Sequence, residues 1–164
     1  MADPGPHETG DLELYKFAIE EGIRSLEHQG SELNRIRDRT INLFGLTATA
    51  SAFLIGAALQ SQTRGLSFYL PLAVGTALFA LLAGLGWMTL KPCQWRAKVS
   101  SEVIVEDFAG SASADQYQQL AGFYTEAFRF NEQQLGSLRL RLRWSLLTSA
   151  GLVTTWIALV WMVA

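Results

Sequence analysis

Residues 40–63, TINLFGLTATASAFLIGAALQSQT, contain no Asp, Glu, Lys, Arg or His. The same holds for residues 65–90, GLSFYLPLAVGTALFALLAGLGWMTL, and residues 144–164, WSLLTSAGLVTTWIALVWMVA. Each stretch holds roughly 20 or more residues, and a helix rising about 1.5 Å per residue crosses an apolar slab about 30 Å thick in that length. A buried helix of a water-soluble domain rarely needs that length without a charge. The expected solvent is therefore a bilayer, and the expected fold is an all-α membrane protein with three transmembrane helices. Long helical cytoplasmic extensions are expected to form a coiled-coil-like stalk.

The rest of the composition agrees. The chain is 49% hydrophobic and 17% charged, a low charged fraction for a soluble domain. Three spans take up roughly 70 residues, and the roughly 90 left over are too divided to form an independent enzyme domain. With a formal net charge of −2, the chain as a whole does not attract nucleic acid. Its single cysteine, Cys93, rules out an intramolecular disulfide and a cysteine metal cluster, and is read as a packed residue before a redox one. No apolar h-region precedes residue 40, so the first span is expected to direct insertion. Arginine outnumbers lysine, and alanine and glycine abound, as in proteins of GC-rich bacteria.

The basic residues set the expected orientation. Lys16, Arg24, Arg35, Arg37 and Arg39 precede the first span, and Lys91, Arg96, Lys98, Arg129, Arg139, Arg141 and Arg143 lie between the second and third. Arg64 alone lies between the first and second. The positive-inside rule then places the N-terminus and the middle segment in the cytoplasm and the C-terminus outside, in the inner (plasma) membrane. Arg35, Arg37, Arg39, Lys91, Arg96, Lys98, Arg139, Arg141 and Arg143 are candidate contacts to headgroups or other anions. Simple anchoring is the plainer role for them.

Along the chain, residues 1–10 are rich in Pro, Gly and Asp and are expected to be disordered. Residues 11–39 read as a cytoplasmic helix, in which Leu12, Ile19, Leu26 and Leu33 recur every seven residues and Gly22 and Gln29 weaken the seam. Residues 40–63 give the first span and an external turn, and residues 65–90 the second span. Pro71 sits in the first turns of that span, and Pro92 ends it. In the cytoplasmic segment 91–143, residues 99–108 form a short amphipathic stretch. Ser113 and Gln116 fit a capping box that starts a second long helix. There Tyr117, Tyr124, Asn131 and Leu138 recur at seven before the third span, 144–164. Each long helix would measure about 75 Å, and the two are expected to pair in parallel, within one chain or between chains.

Each span carries small or weakly polar residues at three-and-four spacing: Asn42, Gly45, Thr49, Ala52 and Gly56; Ala73, Ala77, Ala80 and Gly84; Thr148, Gly151, Thr155 and Ala158. Such faces let helices approach closely in lipid. They serve either the packing of the three spans or a homo-oligomer. Asn42 is expected to be a helix–helix hydrogen-bond partner or an interfacial residue, with pore lining as the alternative. Asn131 either fixes register or oligomer state in a buried seam or lies exposed on a poor one. The spans lack the ionisable residues that pumps, proton-coupled carriers and voltage sensors use. No phosphate-binding loop, dinucleotide fingerprint, zinc-protease motif, serine-hydrolase elbow or C-x-x-C occurs. The chain therefore reads as a non-enzyme without a cofactor.

Two segments carry a family resemblance: LNRIRDRT (residues 33–40), entering the first span ahead of a tight hairpin, and YQQLAGFYTEAFRFNEQQLGSLRLRLRWSLL (residues 117–147). With them the chain resembles the small helical transmembrane effectors of bacterial conflict and antiphage systems, of the SLATT type or of Pycsar systems. Those proteins commonly have two or four spans. The resemblance implies an oligomerising effector that damages or depolarises the inner membrane on a signal from a cytoplasmic protein or a nucleotide. Two other readings stand beside it: a structural or adaptor membrane protein recruiting partners through its cytoplasmic helices, and a small channel or transporter subunit.

Overall fold

The computed structural model describes residues 6–60, 65–96 and 114–163. They form three α-helices, α1 (Pro6–Leu59), α2 (Leu66–Leu90) and α3 (Ala114–Val163), and no strand among the described residues. Lys98, the amphipathic stretch 99–108 and Ser113 of the expected capping box lie outside them. Residues 6–10, expected to be disordered, form the first turns of α1. Pro6 is tolerated at the helix start because its missing N–H would have had no intrahelical partner there. Each helix contains a segment long and apolar enough to cross a membrane.

The ends of α2 follow from local chemistry. Gly65 starts the helix without a side-chain cap, its carbonyl accepting from the Phe68 N–H at 2.9 Å. Pro71 falls in the second turn, where its missing N–H removes at most one hydrogen bond. At the other end Lys91 adopts ψ 147°, the extended conformation that a following proline imposes, while its N–H still donates to the Trp87 carbonyl. Arg141 Nη1 donates to the Met88 carbonyl at 2.8 Å and so satisfies one of the carbonyls that the helix end leaves open.

The chain divides into two compact units, and α1 and α3 contribute to both. The first comprises Met1–Leu33 and Cys93–Gly136. In it α1 and α3 run parallel: Lys16 sits over the Tyr117 ring, Gly22 meets Tyr124, and Gln29 reaches Phe128 and Glu132. Leu26, Tyr124 and Ala127 form the buried centre, with Ile19, Ile23 and Leu120 against it. Gly22, expected to weaken this face, is a point where the two helices come close. A Cβ there would lie 2.8 Å from Tyr124 Cβ.

The second unit comprises Asn34–Pro92 and Ser137–Ala164. In it α1 and α3 are again parallel, and α2 runs antiparallel to both. Phe44 of α1 packs at a tilt against Phe79 of α2, with ring centroids 5.7 Å apart. The core is Ala58, Phe68, Leu82, Leu152, Trp156 and Leu159. Gly75 of α2 faces the Trp156 ring so closely that a Cβ would stand 2.6 Å from it. Most apolar side chains of the candidate spans point outward; between 17% and 33% of each span's residues are buried. Phe53 is 80% exposed and Trp161 82%, which water disfavours and acyl chains accept.

Candidate functional site

The two units bury polar groups for different purposes. In the first, Asn131 is fully buried and pairs with the backbone of Arg96: its Nδ2 donates to the Arg96 carbonyl at 2.9 Å, and the Arg96 N–H donates to its Oδ1 at 3.1 Å. A single amide side chain thus copies one rung of a β-ladder. The Arg96 side chain adds two further contacts to α3. Its guanidinium carbon lies 4.8 Å from the Phe130 ring centroid, and Nη1 donates to Glu126 Oε1 at 2.6 Å. The ion pair is solvent-exposed and contributes at most about 1 kcal/mol. The buried amide pairing is the stronger restraint, because an unpaired Asn131 side chain would have no water to turn to.

This clasp bears on two of the candidate residues. Asn131 is buried on the packing face of α3, and its polar atoms pair with the backbone of Arg96. Arg96 points its charge at Glu126 and Phe130, so within this unit it is a clasp residue before it is an anion contact.

Gln29 is also buried, at 3% exposure. Its Nε2 donates to the Phe128 carbonyl and to Glu132 Oε2, both at 3.2 Å, while Oε1 accepts from nothing among the described residues. The glutamine ties α1 to α3 by donation, while its unpartnered Oε1 is a cost to the seam. Cys93 is half-buried.

In the second unit the seam between α1 and α3 is built from hydroxyl groups. Thr47 and Ser149 share a hydrogen bond at 2.5 Å, and Trp156 Nε1 donates to Ser51 Oγ at 3.1 Å. Thr40, Thr89 and Ser145 are buried as well, each donating to the carbonyl four residues back on its own helix. That back-bonding lets a hydroxyl sit in an apolar interior without a cross-helix partner.

The small-residue faces lie elsewhere. Asn42, Gly45, Thr49, Ala52 and Gly56 are all exposed, and a Cβ on Gly45 or Gly56 would meet nothing within 4 Å. Ala73, Ala77, Ala80 and Gly84 are exposed too, with the same open space beside Gly84. Packing of the three helices thus uses neither face. Only the third set borders the packed seam: Thr148 is buried, Thr155 and Ala158 are half-buried, and Gly151 lies 4.0 Å from Leu78 Cδ1 as placed by its absent Cβ. The residues that do pack were legible by another route. In α3 the recurrence at seven continues from Tyr124 and Asn131 through Leu138, Ser145, Leu152 and Leu159, and all six are buried. In α1 it continues from Leu26 and Leu33 through Thr40 and Thr47, again all buried.

Of the basic residues, Arg35, Arg39, Lys91, Arg139 and Arg143 are exposed, Arg37 is half-buried, and Arg141 is spent on the Met88 carbonyl. Charge is segregated between the units. Every acidic residue of the chain except Asp38 belongs to the first, whereas Arg35, Arg37, Arg39, Lys91, Arg139, Arg141 and Arg143 belong to the second. Among the described residues no group of three or more His, Cys, Asp or Glu is placed to hold a metal ion.

Fold and site together define an all-α protein whose three helices are long and apolar enough to cross a membrane. No protein family, no curated protein and no solved structure matches the chain.

Proposed function

We propose that this chain is a non-enzymatic bacterial inner-membrane protein, N-terminus in and C-terminus out, that assembles with copies of itself and compromises membrane integrity when triggered through its cytoplasmic helices. The observation that carries the reading is the pair of outward small-residue faces. Gly45, Thr49, Ala52 and Gly56 on α1 and Ala73, Ala77, Ala80 and Gly84 on α2 are not used by the chain's own packing. In lipid, where hydrophobicity does not join helices, such faces are the usual sites of close helix approach. Asn42 at the head of the α1 face adds a polar group able to hydrogen-bond across copies. The membrane-integrity role rests on the resemblance to small transmembrane effectors, and the trigger on the parallel α1–α3 pair of the first unit, read as a coiled-coil-like stalk.

The test is induction of the chain in bacteria, alone and with its neighbouring gene, while membrane potential and propidium iodide entry are followed. Depolarisation or dye entry that Gly45→Leu with Gly56→Leu abolishes, at equal membrane levels, is the expected result. Intact membranes under both conditions, with expression confirmed, would sink the effector reading.

A second reading, an adaptor, draws on the acidity of the first unit. It expects a stable basic cytoplasmic partner on affinity capture and no change in permeability.

A further inference from the structure

The second unit contains two apolar clefts between α1 and α2, one on each side of the Phe44–Phe79 pair. The first, about 260 Å³, is bounded by Thr40, Ile41 and Phe44 of α1 and by Ala83, Gly86 and Trp87 of α2, and it ends at Leu90. The second, about 300 Å³, is lined among others by Ser51, Ile55, Phe79 and Trp156. Neither offers a polar lining that would hold water: the Thr40 hydroxyl is already bonded to the Ile36 carbonyl, and Trp156 Nε1 to Ser51.

The two clefts differ in what stands at their mouths. No Asp, Glu, Lys, Arg or His occurs between Thr40 and Leu59 or between Leu66 and Leu90, so no charge stands at the mouth of the cleft beside Trp156. The cleft beside Trp87 reaches the charged end of the unit. Arg39 directly precedes its Thr40, Lys91 directly follows its Leu90, and both side chains are exposed and form no ion pair among the described residues. The neighbouring basic groups are Arg35, Arg37, Arg139, Arg141 and Arg143, and the only acidic one in the unit is Asp38. Trp87, 74% exposed, lies between the apolar wall and that basic end, the position that interfacial tryptophans favour. An occupant must therefore be apolar along the cleft and negatively charged at one end.

We infer that this cleft binds an anionic phospholipid, with a stretch of acyl chain against Phe44, Ala83 and Gly86 and the headgroup phosphate between Arg39 and Lys91. Basic pockets between transmembrane helices recognise anionic headgroups by this combination. The inference rests on the three helices being spans and is independent of any effector activity.

Gly86 supplies a clean perturbation. It lines the cleft, and a Cβ there would meet nothing within 4 Å, so a leucine at this position has room to begin its side chain in the cleft that it is meant to fill. The full chain is reconstituted in nanodiscs of equimolar phosphatidylglycerol and phosphatidylcholine, and the lipid retained on release is counted by native mass spectrometry. The wild type is expected to retain phosphatidylglycerol over phosphatidylcholine by about tenfold. Arg39→Gln with Lys91→Gln should bring that ratio to about one, and Gly86→Leu should remove the retained lipid at unchanged helicity. Thr76→Leu, in the other cleft, should leave the ratio as it is. Equal retention of the two lipids by the wild type, or a preference that survives the charge substitutions, overturns the inference even if Gly86→Leu fails to fold. A chain that does not enter nanodiscs at all refutes the membrane placement instead, which separates the two failures.

Discussion

Replacing Gly75 and Gly86 of α2 by alanine should produce opposite results from one chemical change. Both are helical glycines, and in an exposed helix either substitution would gain up to about 1 kcal/mol from alanine's higher helix propensity. At Gly75 the new Cβ would stand 2.6 Å from Trp156 Cη2 and Cζ2 and 3.0 Å from Cε2, whereas carbon atoms rest about 3.5–4.0 Å apart. The indole must retreat by roughly 1 Å. It is fully buried in the core with Leu152, Leu159 and Leu82 and is tethered through Nε1 to Ser51, so the retreat costs packing and strains that hydrogen bond. Overpacking of this kind costs about 1–3 kcal/mol, and the tether adds up to about 1 kcal/mol more. At Gly86 nothing lies within 4 Å, so alanine there costs nothing sterically. Denaturation of the purified chain in detergent, followed by tryptophan fluorescence, should therefore show Gly75→Ala destabilised by about 1–3 kcal/mol and Gly86→Ala unchanged or slightly stabilised. Equal stability of the two variants would refute the packing of α2 against α3 described above. A loss at Gly86 as large as at Gly75 would do the same.

Asn131→Leu keeps the branched shape and the number of heavy atoms but removes both bonds to Arg96. Amide hydrogen exchange at Arg96 should accelerate about tenfold or more, and unchanged protection would show that Asn131 does not hold that segment. Gln29→Leu loses two donated bonds but also removes the unpartnered Oε1, so its net cost should stay below about 1 kcal/mol; a loss above about 2 kcal/mol would mean the amide is held by more than the contacts seen. Gly22→Val should destabilise by about 1–3 kcal/mol through Tyr124, while Gly30→Ala, with open space around it, should not; the same melting experiment checks both. In a double-mutant cycle Thr47→Val and Ser149→Ala should couple by about 1 kcal/mol, and strict additivity would remove that bond from the seam.

The sequence by itself determined that three helices long and apolar enough to cross a membrane are present, and where α2 ends. Uncharged length reads directly as span-forming capacity, because a charge facing lipid in a roughly 20-residue apolar helix costs free energy. Pro92 marks the end of α2 because a residue before proline resists the helical conformation, and Lys91 takes ψ 147° accordingly. The recurrence at seven through Leu26, Leu33, Tyr124 and Asn131 reads as a packing face because those positions fall on one side of a helix whose other side is charged. Inside the spans that contrast disappears. Apolar residues surround each helix, and a row of glycines and alanines says only that a neighbour can come close, not that one does. Tertiary structure alone decided that Thr47 and Ser51 of α1 pair with Ser149 and Trp156 of α3, that α2 meets α3 through Gly75 and Trp156, and that the Asn42–Gly56 and Ala73–Gly84 faces turn outward. The Arg96 clasp was equally invisible beforehand, since a backbone N–H and C=O carry no mark in the sequence of the side chain that will pair with them.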